Sequence, residues 1–198
     1  MRNLAFIIQC GGKDHAYDRA KLCAKWGKKL DQLAKQDPGG YLHKSIIYPK
    51  YGHWMNLECK LAVPWMAKHI RNPWPKKLHW YQDNVTQTRF HWLSNRQPKP
   101  KQLITAEVRE NTITLNNPTA AIEHSTSMRV GDFTPIGMIT LRLSDKLLDL
   151  NKVIIVKNNS GKVMLEKKVQ RNIRSIYESI LTRPDYTSVS TATVTIKF

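Results

Sequence analysis

An acid and an imidazole stand at matching places in two successive stretches of this chain. Asp14 comes just after the apolar run Leu4 to Gln9 and the pair Gly11-Gly12, and His53 comes just after Ser45-Ile46-Ile47-Tyr48 and a short loop from Pro49. A carboxylate that holds one imidazole nitrogen fixes the tautomer of the ring, and the other nitrogen can then act as a general base. Asp18 is a reserve acid, although one turn into the following helix it would point away from the strand ends. An equally good reading makes Asp14 the cap of that helix and His53 a loop histidine beside Trp54. Spacing alone leaves both readings open.

Partners for such a pair are scarce. Cys10 sits beside the first apolar run, where a small core residue is expected. Ser45 opens the second run and Ser94 lies in a polar, proline-containing stretch, and neither has the signature of a nucleophile elbow. His43, His69, His79, His91 and His124 form no HxH or HExxH group, so neither a metal nor a cofactor is expected. Cys10, Cys23 and Cys59 are an odd count with no CxxC pair, which indicates neither a disulfide framework nor a zinc knuckle.

The elements that must position Asp14 and His53 can be read from periodicity. Leu4 to Gln9 is a short continuous apolar stretch ended by glycines, the pattern of a strand covered on both faces of a parallel sheet. Ala20, Cys23, Trp26, Leu30 and Leu33 recur at helical spacing, and Asp37-Pro38-Gly39-Gly40 stops that helix. Ser45 to Tyr48 is a second strand. A second helix is expected from about Asn56 to His69, with Leu57, Leu61, Trp65 and Met66 toward a core and a kink at Pro64. Strand, helix, strand, helix is a βαβα unit, whose strands run parallel and whose carboxyl edge is where ligands bind. Two parallel strands alone leave faces and edges open, which predicts self-association through the exposed edge of the first strand.

After Arg71 the pattern changes. Leu78 to Tyr81 and Arg89 to Leu93 read as two strands paired antiparallel around a polar turn. Trp74, Trp80 and Trp92, with His79, Tyr81 and His91, suit either core packing or a face that stacks sugars or bases. Ser94 to Gln102, with Pro98 and Pro100, reads as a linker, so the expected domains are residues 1–97 and 98–198. Beyond it come strand-like runs at Leu103–Arg109, Thr112–Leu115, Ile136–Leu143, Val153–Lys157, Lys162–Lys168 and Ser188–Lys197. Asn158 to Gly161 makes a hairpin turn. Ile173, Ile176, Tyr177 and Ile180 share one helical face. The fold class expected is α/β followed by mainly β, the second half a small β-sandwich carrying one helix.

The 198 residues are 41% hydrophobic and 24% charged, a folded composition rather than a disordered or fibrous one. Polar residues interrupt every apolar run long before the roughly 20 residues of a membrane helix, and the run after Arg2 is too short for a secretory leader. The net charge of +17 makes nucleic acid a partner to weigh. The lysines are scattered in pairs such as Lys28-Lys29, Lys76-Lys77 and Lys167-Lys168, the usual look of a solvated surface, so nucleic-acid binding is not favoured.

At Gly11-Gly12-Lys13-Asp14 and Gly52-His53-Trp54-Met55 the chain resembles the closing third of the α/β-hydrolase fold. More closely it resembles bacterial esterase- and peptidase-like serine hydrolases in which that segment leads into a β-rich C-terminal domain. The stretch from Thr140 to Asp145, through Leu148-Asp149-Leu150 to Lys162-Val163, resembles that appended domain. The resemblance implies Asp14 as the acid and His53 as the base of a triad whose chain order is nucleophile, acid, histidine. It departs from the family in having no GxSxG and no HGGG-type segment, with only 13 residues before Asp14. The expectation is therefore a C-terminal portion of such an enzyme. It would act on an ester or amide only together with a missing N-terminal part, and would be inactive alone. A full-length relative would suit a secreted or periplasmic setting. The alternatives are a β-sandwich that binds a protein or carbohydrate, and a basic nucleic-acid-binding protein.

Overall fold

The computed structural model describes residues 1–82, 85–116 and 136–198, so His124 lies outside the described residues. The chain forms two compact units, Met1–Asn72 and Pro73–Phe198.

The first unit is a parallel strand–helix–strand. Strand β1 (Phe6–Gly11) pairs with β2 (His43–Tyr48) in register from Phe6↔His43 to Gly11↔Tyr48, so the two carboxyl ends are level. Helix α1 (Arg19–Gln36) returns the chain between them. It lies close on β2 because position 27 is a glycine: a Cβ there would meet Ser45 Oγ at 2.5 Å. Arg2 forks onto the Asp37 carboxylate, Nε to Oδ2 at 2.6 Å and Nη2 to Oδ1 at 3.0 Å, and so anchors the N-terminal segment to the end of α1.

This unit has little core. Cys10 and Leu30 are the only buried hydrophobic residues described before residue 73. The expected covering of β1 on both faces is absent: Phe6 is exposed and Ile7 and Ile8 only half-buried. Trp26 is turned outward from the helical stripe. The expected helix from Asn56 to His69 is instead a 3₁₀ stretch, Met55–Leu61, and one short α-helix, α2 (Ala62–Met66). Leu57, Leu61 and Met66 are exposed rather than directed to a core, and Trp65 is half-buried. The physical reason is the one that makes a two-stranded parallel sheet marginal: it offers too little apolar surface to bury a second helix.

The second unit is mainly antiparallel. A five-stranded sheet has the order β10-β9-β7-β6-β3, built from β3 (Lys77–Gln82), β6 (Gln102–Arg109), β7 (Thr112–Asn116), β9 (Val153–Lys157) and β10 (Val163–Lys168). A four-stranded sheet has the order β11-β8-β5-β4, built from β4 (Arg89–Phe90), β5 (Leu93–Ser94), β8 (Met138–Leu143) and β11 (Ala192–Lys197). Among the described residues of this unit, all pairings are antiparallel except β7 with β9. Alternation along the strands sends Leu78 and Trp80, Ile104 and Ala106, Ile139 and Leu141, and Val194 and Ile196 into one shared core.

One expectation changes here. The runs Leu78–Tyr81 and Arg89–Leu93 do not pair with each other: β3 joins β6, while β4 turns back on β5. The chain divides into its compact units at Asn72/Pro73, and β3 and β5 take strand partners from the later part of the chain. The C-terminal helix α3 (Ile173–Thr182) docks by its small polar residues. Its buried residues are Ser175 and Ser179, whereas Ile173, Tyr177, Ile180 and Leu181 are exposed. Ser175 Oγ lies 3.1 Å from Thr193 Oγ1 and Ser190 N–H donates to Ser179 Oγ at 3.1 Å, so hydroxyls hold this helix to β11 and the loop before it.

Candidate active site

The loops that leave β1 and β2 are stitched together by their backbones. Gly12 N–H donates to the Tyr48 carbonyl at 2.7 Å and Lys13 N–H to that of Tyr51 at 2.9 Å. Asp14 N–H closes a turn onto the Gly11 carbonyl at 3.1 Å, which brings the Asp14 side chain back over the strand ends. Both loops then pass through left-handed backbone at non-glycine residues, Tyr17 and Asp18 in the first and Met55, Asn56 and Leu57 in the second. Each such residue costs on the order of 1–2 kcal/mol, and such strain often marks a functional site.

Asp14 and His53 meet. His53 Nδ1 lies 2.8 Å from Asp14 Oδ2, across 39 positions of sequence. Asp14 is buried at 6% exposure, while the His53 ring is open to solvent at 61%. The hydrogen bond with His53 does most to hold the Asp14 carboxyl below its ordinary value; burial pushes the other way and the Arg19 guanidinium adds to the lowering. An ionised carboxylate only accepts, so the proton in this contact is on Nδ1, and in the neutral ring Nε2 then carries the lone pair. Among the described residues nothing hydrogen-bonds to Nε2. Such a ring is set to take a proton from a group placed at that nitrogen.

Arg19 is the member that spacing did not suggest. Its Nη1 reaches Asp14 Oδ1 at 3.2 Å and lies 3.4 Å from His53 Nδ1, and its guanidinium stands 5.1 Å over the exposed Tyr17 ring. The carboxylate is therefore shared between a guanidinium and an imidazole. Only the left-handed turn at Tyr17 and Asp18 swings the first residue of α1 back over the acid, and no residue pattern announces that turn. Asp18, the reserve acid, is exposed and makes no side-chain cap. Asp14 does not cap α1 either, since both carboxylate oxygens are engaged elsewhere.

No attacking group joins the pair among the described residues. Cys10 is buried next to the site, where burial and then the influence of Cys23 push the thiol up to about 11, away from the reactive thiolate. Ser45 lies under Gly27 of α1, and Ser94 is buried in the second unit, accepting from Arg142 Nε at 2.7 Å.

The other histidines are placed separately. His43 bridges the Tyr41 carbonyl and Asp31, His69 packs edge-on against Trp65, His79 lies on β3, and His91 faces the Pro73 carbonyl. No three His, Cys, Asp or Glu side chains are grouped to hold a metal among the described residues. Trp74, Trp80 and Trp92 are buried in the core of the second unit, so they form no stacking face. Among the described residues no helix is long and apolar enough to cross a membrane. Searches of family models, curated proteins and solved structures found no match to this chain.

Proposed function

We propose that this chain supplies the acid and the histidine of an α/β-hydrolase-type triad acting on a carboxylic ester or amide, and that the attacking group comes from outside these residues. The observation that carries the reading is the 2.8 Å contact between buried Asp14 and His53 Nδ1, which leaves Nε2 unengaged at the carboxyl edge of two parallel strands. In the reaction, a hydroxyl placed at Nε2 gives up its proton to the ring as its oxygen attacks the carbonyl carbon. Asp14 steadies the imidazolium that forms, and the ring returns the proton to the leaving group.

The open first unit supports the same reading. Its two strands, its exposed Leu57, Leu61, Val63 and Met66 and its sparse core suit the last part of a larger parallel sheet. On this reading residues 1–72 are the end of a hydrolase domain, and the two sheets of residues 73–198 are an appended β-sandwich. The same open edge also admits a second copy of the chain. The exposed apolar side of α3 gives the alternative, a binding module for a protein partner, a surface to use.

The test is hydrolysis of a short-chain aryl ester. The 198-residue chain and its His53→Ala variant are expected to show the same background rate. A longer product of the same gene carrying a GxSxG elbow is expected to turn the ester over in a His53-dependent way. His53-dependent turnover by the isolated chain would overturn the assignment of the attacking group to residues outside it.

A further inference from the structure

Helix α3 rests on the four-stranded sheet through a polar layer. On β8, Ile139, Leu141 and Leu143 face the core, so Arg142 faces the other way, toward α3. Thr193 stands directly opposite Arg142 on β11, and its Oγ1 lies 3.1 Å from Ser175 Oγ of α3. Arg89 on β4 donates from Nη1 to the Ser179 carbonyl at 3.3 Å and from Nη2 to the Ser188 carbonyl at 2.9 Å. Arg142 is 7% exposed, yet the one hydrogen bond of its guanidinium among the described residues is from Nε to Ser94 Oγ, at 2.7 Å. Its Nη1 is enclosed and has no partner among them. Glu178 of α3 accepts instead from Arg174 Nε, at 2.9 Å. Two more buried hydroxyls without a partner, Ser190 Oγ and Thr191 Oγ1, lie in the adjoining segment, where Thr191 N–H donates to the Leu143 carbonyl at 2.8 Å.

We propose that Arg142 binds a small monovalent anion of the chloride class in this layer. The proposal goes beyond the hydrolase reading and does not depend on it, since every group in it lies in the second unit. A guanidinium taken out of water without a counter-charge is costly. Burial lowers the Arg142 pKa, with Glu178 opposing and Arg96 adding to the lowering, but an arginine stays charged in a protein. A buried water would satisfy Nη1 and leave the charge unmatched, whereas an anion does both. The rest of the layer is rich in hydroxyls, which rotate to present a proton to an anion. Size follows from access. With only 7% of Arg142 exposed, a small ion reaches the guanidinium, while a nucleic-acid strand or an acidic peptide does not. A single negative charge matches the single unmatched charge of Arg142. The site also accounts for the docked face of α3, because Ser175 and Ser179 suit a polar layer around an anion as isoleucines do not.

The experiment exchanges gluconate for chloride at constant ionic strength around the full chain, and reads urea unfolding and the chloride NMR linewidth. Chloride that binds only the folded state is expected to raise the urea midpoint, and the folded chain is expected to broaden the chloride signal more than the unfolded chain does. Arg142→Met, which replaces the guanidinium by an unbranched apolar side chain, is expected to lose both effects. Arg109→Met, which alters an exposed arginine, is expected to keep both. Both effects undiminished in Arg142→Met would overturn the proposal and assign them to the basic surface. So would a wild-type midpoint indifferent to chloride, the outcome if water alone serves Nη1. Where Arg142→Met does not fold, the wild type decides: a chloride-dependent midpoint with broadening confined to the folded chain supports the site, and the loss of either overturns it.

Discussion

A Cβ on Gly11 would stand 2.0 Å from the carbonyl oxygen of Gly52, and 2.6 Å from that of Tyr51. The loop of the acid and the loop of the histidine therefore touch backbone to backbone, and only the absence of a side chain lets them. Gly11→Ala is expected to push the His53 loop away and break the contact with Asp14, at a cost on the order of 1–3 kcal/mol for overpacking. The readout is the downfield proton signal of His53 Nδ1–H, lost in the variant. Gly52→Ala is the control: a Cβ there meets nothing within 4 Å, and the signal is expected to persist.

Acid should weaken the first unit through Asp14. Its folded carboxyl lies below the ordinary value, chiefly through the hydrogen bond with His53. A lowered carboxyl pKa stabilises the fold above the unfolded value of about 3.9, and this contribution is lost as pH falls through that value toward the folded one. His53→Ala removes the main cause of the lowering. The difference in urea midpoint between wild type and His53→Ala is therefore expected to shrink from about pH 5 to about pH 3. The carboxylates of Asp145 and Glu178, lowered chiefly by Arg171 and Arg174, cancel in that difference. A difference constant with pH would count against the bonded pair.

The tryptophans divide by unit. Trp92 is fully buried, and its indole N–H donates to the Pro75 carbonyl at 2.8 Å. Trp92→Ala is expected to cost about 3–5 kcal/mol in urea unfolding, the usual range for emptying a core aromatic site. Trp26, about half exposed on α1, is expected to change stability by no more than about 0.5 kcal/mol when replaced by alanine.

Helix α3 supplies a reversed pattern. Ser179 is 1% exposed and accepts from Ser190 N–H, while its neighbour Ile180 is 49% exposed. Ser179→Leu, which looks favourable to a helix reader, is expected to destabilise by about 1–3 kcal/mol through overpacking. Ile180→Ser is expected to fall within about 0.5 kcal/mol of wild type. Chemical unfolding of the two variants side by side checks the orientation of the helix.

Much of the local structure was legible in the residues. Period-two and period-three-to-four patterns, glycine and proline stops and the turn at Asn158 to Gly161 located β1, α1, β2 and most later strands, because these depend on neighbours a few positions away. The positions of Asp14 and His53 after two strands of one parallel unit were also legible, although spacing left open whether the side chains meet. The rest turned on contacts between distant segments. Periodicity marks an apolar face but not what it packs on. It groups Ile173, Tyr177 and Ile180 on one face of α3, but the serine face is the one that docks. The helix expected after Asn56 had apolar spacing but no sheet broad enough to cover it. The place of Arg19 beside Asp14 depends on the left-handed residues Tyr17 and Asp18, and only the folded backbone decides these.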